Sequence, residues 1–406
     1  MKYEFPRITH LDEVRAVIKD LPEFIIAERD WGFAVNYLVS GPDTFPGVHT
    51  AGGSLRMREE ATRAKSIRRE CRGLLFYPDG RIMSRRLHKF WNVNERDETQ
   101  LHRIDLGQPH VILEKLDGSM VTPVFTDAGV RWGTKMGITD VSMQAELFVA
   151  DHAQYEVMAL ECHDLGLTPI FEWCSRKQRI VVDYPEDRLV LIAMRDNITG
   201  DYVSYADLGQ WTEKYGIELV RVYPGNTDSM ENLLEETHGL KDQEGWIIRF
   251  EDGHMLKLKG DEYVTIHKAK DKILRENGVI EMLLADKLDD VKAVLDDDTR
   301  HSLEKFEAEF WQGVATSAEI WQTVNTVVRA RHGTDRKAFA LAPTTAVMDG
   351  NLKSAIFKSW DATDFDWRQA VLDTVAKNIG TQTRVDAVRG LWGGARWTYG
   401  SSAGDE

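Results

Sequence analysis

Cysteine is scarce in this 406-residue chain. Cys71, Cys162 and Cys174 are odd in number and show no Cys-x-x-Cys spacing, which disfavours a disulfide framework and a structural zinc site and leaves buried free thiols. Long apolar runs are missing too. No stretch of about 18 apolar residues occurs, and the opening Met-Lys-Tyr-Glu-Phe-Pro lacks the apolar core of a signal peptide. The expectation is a cytoplasmic protein with no membrane partner. There is no phosphate-cradling Gly-x-x-x-x-Gly-Lys loop, which argues against a fused kinase. An excess of positive charge is also absent: the formal net charge of −15 disfavours a protein that coats nucleic acid non-specifically.

Composition is otherwise that of a globular chain, 42% apolar and 29% charged, long enough for two domains. Charge is unevenly spread. Between Arg56 and Arg96 stand twelve Lys or Arg against five Asp or Glu, a basic stretch suited either to guarding a polyanion site or to forming a solvated helix over about 55–70. Alternation predicts a strand at 31–39, and short runs rich in β-formers place further strands at 73–77, 130–135, 168–174, 179–182, 188–194, 245–250 and 254–258, with a hairpin over 111–126 and a helix over 141–162. Many strands with few intervening helices imply an antiparallel α+β domain, residues 1–272. Beyond about residue 270, Leu303, Phe306, Phe310, Val314, Trp321, Val324 and Val328 recur at helical spacing, so 273–385 reads as an all-α domain. Residues 386–406, with paired Gly and Ser and a terminal acid pair, read as a flexible tail.

The chemistry gathers at Val111-Ile-Leu-Glu-Lys-Leu-Asp-Gly-Ser-Met120. Lys115 ends a strand beside the turn signal Asp117-Gly118, where a lysine can serve as a nucleophile. Such a lysine is mostly protonated at neutral pH and needs neighbouring cations to lower its pKa. Lys257 and Lys259 share one face of a strand and repel each other unless a polyanion lies between them; a phosphate is the natural guest, an exposed lysine-guarded edge strand the bland alternative. Glu244, at the start of the preceding strand, suits a hydrated Mg²⁺. Glu172 is a carboxylate in an otherwise apolar strand, serving a ribose hydroxyl or a metal's water shell, or else paired with Arg176, Lys177 or Arg179.

Glu-Lys-Leu-Asp-Gly-Ser at 114–119, Phe-Glu-Trp at 171–173, Glu-Gly-Trp-Ile at 244–247 and Leu-Lys-Leu-Lys at 256–259 resemble, in order and spacing, four motifs of the covalent nucleotidyltransferases. Glu70-Cys-Arg-Gly73, Lys89-Phe-Trp-Asn-Val-Asn-Glu95 and Arg195-Asp-Asn-Ile-Thr-Gly-Asp-Tyr202 narrow the resemblance to the phage-type RNA ligase 1 family. The resemblance implies an ATP-dependent RNA ligase, an enzyme of RNA repair with Mg²⁺ (or Mn²⁺) as cofactor, acting as a monomer on 5′-phosphate and 3′-hydroxyl ends, nicked tRNA among its substrates. If phage-encoded, it works in the host cytoplasm. By the same resemblance Lys115 carries AMP covalently, and Lys257 and Lys259 contact the α-phosphate. Arg72 and Lys89 reach the ATP phosphates, Lys135 is a further family lysine, and Glu172 holds the ribose. Glu114, Asp117, Gly118, Glu244, Tyr263 and Tyr37 complete the nucleotide site, and Glu244, Asp289 and Asp290 lie near the divalent ion.

Two rival readings stand beside it. A DNA ligase or capping enzyme uses the same lysine chemistry but normally continues into a short-stranded OB barrel, whereas 275–380 reads as helical. A non-catalytic RNA-binding module predicts replacement of Lys115, Glu244 or Lys259, and all three are present.

Overall fold

The computed structural model describes residues 4–399 apart from 42, 49–53, 224, 226–228, 293–294, 296, 361 and 363. The chain divides into two compact units, Met1–Val264 and Thr265–Glu406. This division falls eight residues before the boundary expected from the sequence. The first unit is α+β with antiparallel sheets and the second is helical, as the strand-then-helix pattern implied.

In the first unit the described residues form three four-stranded sheets. The first runs β1 (Phe24–Arg29), β2 (Gly32–Tyr37), β3 (Leu74–Phe76), β4 (Ile82–Ser84), and packs a core with helices α1 (Leu11–Ile18) and α2 (Leu55–Glu70). The second has the order β5 (Trp91–Asn92), β12 (Met255–Lys259), β11 (Gly245–Phe250), β6 (His110–Lys115). The third has the order β10 (Arg188–Asp196), β9 (Leu167–Cys174), β7 (Ser119–Thr126), β8 (Gly129–Gly133). Every pairing is antiparallel except β5 with β12. Sheet composition follows side-chain alternation. On β6, β11 and β12, Ile112, Trp246, Ile248, Phe250, Leu256 and Leu258 bury together on one face. The register therefore sends Lys115, Lys257 and Lys259 to the other.

Three expectations change. Residues 111–126 are not a hairpin: β6 pairs with β11 and β7 pairs with β8 and β9, so the Leu116–Gly118 loop crosses from one sheet to another. Residues 179–182 form no strand; the backbone amides of Val181 and Val182 serve a side chain described below. The helix over 141–162 is two helices, α3 (Asp140–Ala150) and α4 (Gln154–Asp164), broken at Asp151–Ala153.

The second unit is built round a 36-residue helix, Asp297–His332. The stretch expected to be a tail packs instead. Trp392 and Trp397 are buried against Phe310 and Phe306, and Arg389 pairs with Glu276. A Cβ at Gly313 would lie 2.1 Å from the Trp392 carbonyl carbon, so a glycine is needed for this approach. Residues 400–406 lie outside the described residues.

One charged cluster ties the first unit together. Glu70, the last residue of α2, accepts from Arg85 Nε at 3.0 Å and from Arg195 Nη1 and Nη2 at 2.9 and 3.1 Å. All three side chains are essentially inaccessible. Burial alone would raise the Glu70 carboxyl, but the two guanidiniums outweigh it and hold it at about 2, against an ordinary 4.5. Because the folded-state value is depressed, this contribution is complete above pH 4.5 and is lost as pH falls toward 2. Glu70→Gln strands two buried guanidiniums and should cost about 3–5 kcal/mol at neutral pH. It should also flatten the acid limb of stability, measured by urea unfolding at pH 7 and pH 4; an unchanged midpoint at pH 7 contradicts the assignment.

Candidate active site

Lys115 is the last residue of β6, and the register aligns it with Gly245 and, across β11, with Lys259. Gly245 has φ +147°, and a Cβ there would stand 2.0 Å from the Leu258 carbonyl oxygen. The glycine lets β11 begin hard against β12, which brings Glu244 between the two amines. Glu244 Oε2 lies 2.7 Å from Lys115 Nζ and Oε1 lies 3.0 Å from Lys259 Nζ. Glu244 is 4% exposed while Lys115 is 21% exposed, so the lysine is the reachable partner.

The loop after Lys115 is fixed by Asp117, which is buried. Its Oδ2 accepts the backbone amides of Val181 and Val182 at 2.7 and 2.8 Å, and its Oδ1 accepts the Tyr263 hydroxyl at 2.8 Å. The Asp117 amide in turn donates to Tyr184 Oη at 2.9 Å. Asp117 and Tyr263, both expected at the nucleotide site, hold each other and the loop, and the Tyr263 ring lies 5.1 Å from Lys259 Nζ. Gly118 follows because a Cβ there would meet the Trp173 carbonyl oxygen at 2.3 Å.

A cavity of about 560 Å³ opens beside Lys115, lined among others by Arg72, Lys135, Glu172 and Lys257. Lys257 sits with Nζ 4.9 Å from the centre of the Phe90 ring. Burial, reinforced by the charges of Arg72, Lys115, Lys89 and Lys259, lowers it to about 7. Glu172 faces the same space, paired with none of the three cations proposed for it; Arg176 holds Asp183 instead. Burial raises Glu172 to about 7 against the pull of Lys115, with the Glu244 charge adding to the rise. Lys135, which lines the cavity, and Lys89 place their amines 5.3 and 5.0 Å from the centre of the Tyr37 ring. Burial works to raise the Tyr37 phenol, but Lys89, Arg72 and Lys135 together hold it below its ordinary value. Lys89 is itself lowered by burial.

The other expected residues have the following surroundings. Glu114 borders the cavity, yet both its carboxylate oxygens are taken by Arg221, at 2.9 and 3.1 Å, as expected of a residue one step out of phase with Lys115 on a strand. Asp289 is exposed in the helical unit and pairs with Lys292 at 2.9 Å; the side chain of Asp290 lies outside the described residues. Among the described residues no group of three His, Cys, Asp or Glu side chains could hold a metal unaided. The carboxylates nearest Lys115, Glu244 and Glu172, are hard oxygen donors that fit an ion otherwise held by phosphate and water. Sequence reasoning missed Tyr184, whose surroundings, Val182-Asp-Tyr-Pro185, carry no pattern.

This arrangement offers an amine nucleophile, several cations for a polyphosphate and a cavity of nucleotide size. Residues 70–264 match the profile of the RNA ligase family. A protein of Thermovibrio ammonificans assigned as an RNA ligase is 28% identical over 251 residues, 60% of this chain and 65% of the relative. A protein of Autographa californica nuclear polyhedrosis virus, assigned as a bifunctional polynucleotide kinase/RNA ligase, is 24% identical over 248 residues, 55% of this chain and 34% of the relative. The chain thus spans 65% and 34% of the length of these two relatives. Among solved structures, an archaeal ATP-dependent RNA ligase is similar at 13% identity and a TM-score of 0.45, over 66% of this chain and 65% of that one. Residues 70–264, just under half of the chain, are thus similar to the RNA ligase family.

Proposed function

We propose that this protein is an ATP-dependent RNA ligase that joins 5′-phosphate and 3′-hydroxyl ends. The observation that carries the reading is the alignment of Lys115, Glu244 and Lys259 across three strands beside a cavity walled by further cations. Lys115 Nζ, released from Glu244, attacks the α-phosphorus of ATP; an N–P bond forms, the α–β P–O bond breaks, and the amine proton is lost as pyrophosphate leaves. An RNA 5′-phosphate oxygen then takes the AMP, returning Lys115 as an amine. Finally the 3′-hydroxyl attacks that phosphate and expels AMP. Lys257 and Lys259 stabilise charge on the α-phosphate, while Arg72, Lys89 and Lys135 hold the distal phosphates. Glu172 and Glu244 would hold a Mg²⁺ that arrives with ATP, and such an ion would offset phosphate charge. RNA repair, with nicked tRNA as one substrate and the helical unit as its contact, is the role that follows.

Two outcomes test the reading. Incubation with α-labelled ATP and Mg²⁺ should leave label on the wild-type band of a denaturing gel, and Lys115→Met should remove it; equal labelling of the variant overturns the proposal. The second concerns pH. As pH rises through about 7, Lys257 loses a proton and Glu172 gains charge, so both make the ligand-free site less attractive to an anion. In Mg²⁺-free buffer, ATP binding should therefore weaken by roughly tenfold between pH 6 and pH 8 relative to the Glu172→Gln/Lys257→Met double variant. ATP's own titration is common to both proteins. Parallel profiles by calorimetry would refute the charge assignment.

A further inference from the structure

Arg86 is 2% exposed, and all of its guanidinium nitrogens are engaged by neutral acceptors. Nε donates to Thr122 Oγ1 at 2.7 Å, Nη1 to the Gly73 carbonyl at 3.0 Å, and Nη2 to the Gly133 carbonyl at 3.0 Å. A buried guanidinium is ordinarily matched by a carboxylate, as Arg85 and Arg195 next to it in the fold are matched by Glu70. Among the described residues no carboxylate hydrogen-bonds Arg86. Its charge is instead disfavoured by burial and by Arg72, which lower it to about 9.

The positions of the acceptors explain the arrangement. Gly73 directly follows Arg72, and Gly133 precedes Lys135 by two residues. The two segments touch through their backbones: a Cβ on Gly73, at φ +92°, would stand 2.9 Å from Lys135 Cα and 3.0 Å from Arg86 Nη1. Beyond Gly133, Thr134 and Gly137 close a tight turn by exchanging backbone hydrogen bonds of 2.9 Å, which presents Lys135 to the cavity. The third acceptor, Thr122, is the register partner of Gly133 on β7.

We propose that Arg86 is a positioning residue for the polyphosphate end of the site: its planar fork staples the Arg72 segment to the Lys135 turn and sets both cations at one spacing. Its uncompensated charge adds to theirs, so the site retains an attraction for phosphate that a buried carboxylate would cancel. A lysine cannot replace it, because an ammonium lacks the fixed fork that reaches two carbonyls and a hydroxyl in one plane. This inference rests on the ATP reading above, and deepens it by dividing the ligand: Arg86 governs the distal phosphates and leaves the nucleoside monophosphate end alone.

The test measures ATP, pyrophosphate and AMP affinities of the wild type, Arg86→Lys and Arg86→Met by calorimetry, with thermal unfolding of each protein. Both variants should bind ATP and pyrophosphate about tenfold or more weakly, with AMP affinity within about twofold of wild type. If Arg86→Met fails to fold, Arg86→Lys carries the comparison. Unchanged ATP affinity overturns the inference, and so does a parallel fall of ATP and AMP affinity, which marks general loss of structure. A wild type that binds none of the three and takes no label defeats the ligase reading itself, a result separable from either.

Discussion

The site depends on one carboxylate held between two amines. Glu244 bridges Lys115 and Lys259 because β6, β11 and β12 are in register there, and because Gly245 allows the strands to close at that point. Mutual repulsion among Lys115, Lys257 and Lys259 in a partly buried space would be costly without it. On the proposed mechanism the pair also delays the chemistry: Lys115 cannot attack while it is held by Glu244, so an arriving polyphosphate must take over the carboxylate's role toward Lys259. Strand register, a property of the whole sheet, thus sets the surroundings of Lys115.

Around that pair the protein separates charges that build from charges that bind. Glu70 with Arg85 and Arg195, and Asp117 with Tyr263 and two backbone amides, are buried sets in which each carboxylate is held by several donors. Arg72, Lys89, Lys135 and Lys257 form an open set, facing a phenol, an aromatic ring or the cavity, with Glu172 the acid in their midst. Lowering Lys257 and raising Glu172 toward neutrality keeps the open set tolerable in the absence of ligand.

Much of this was legible in the sequence, and the exceptions share a cause. The alternation of Met255-Leu-Lys-Leu-Lys259 fixes which face carries lysines, and Lys115, Glu172 and Glu244 do converge. Period-two patterning says which side a residue faces but not which strand lies beside it, so β6 and β7, adjacent in sequence and separated by a turn signal, read as a hairpin although they belong to different sheets. The same limit hid the use of Asp117, whose partners stand 64, 65 and 146 residues away. Glu114 shared its motif with Lys115 but not its face. The supposed tail looked frayed because its glycines and serines outweighed two tryptophans, and those tryptophans decide its packing.

One ambiguity is built into the cluster: Lys257, with its amine lowered to about 7, stands close enough to Lys115 for its charge to be felt there, and a neutral amine is what nucleophilic attack on phosphorus requires. Position argues for Lys115, since it ends its strand beside the open loop, whereas Lys257 lies mid-strand against Phe90. Peptide mapping by mass spectrometry after brief incubation with ATP and Mg²⁺ decides between them. AMP should be found on the peptide containing Lys115 and on that residue; AMP on Lys257 or Lys259, or on no lysine of this cavity, would contradict the account.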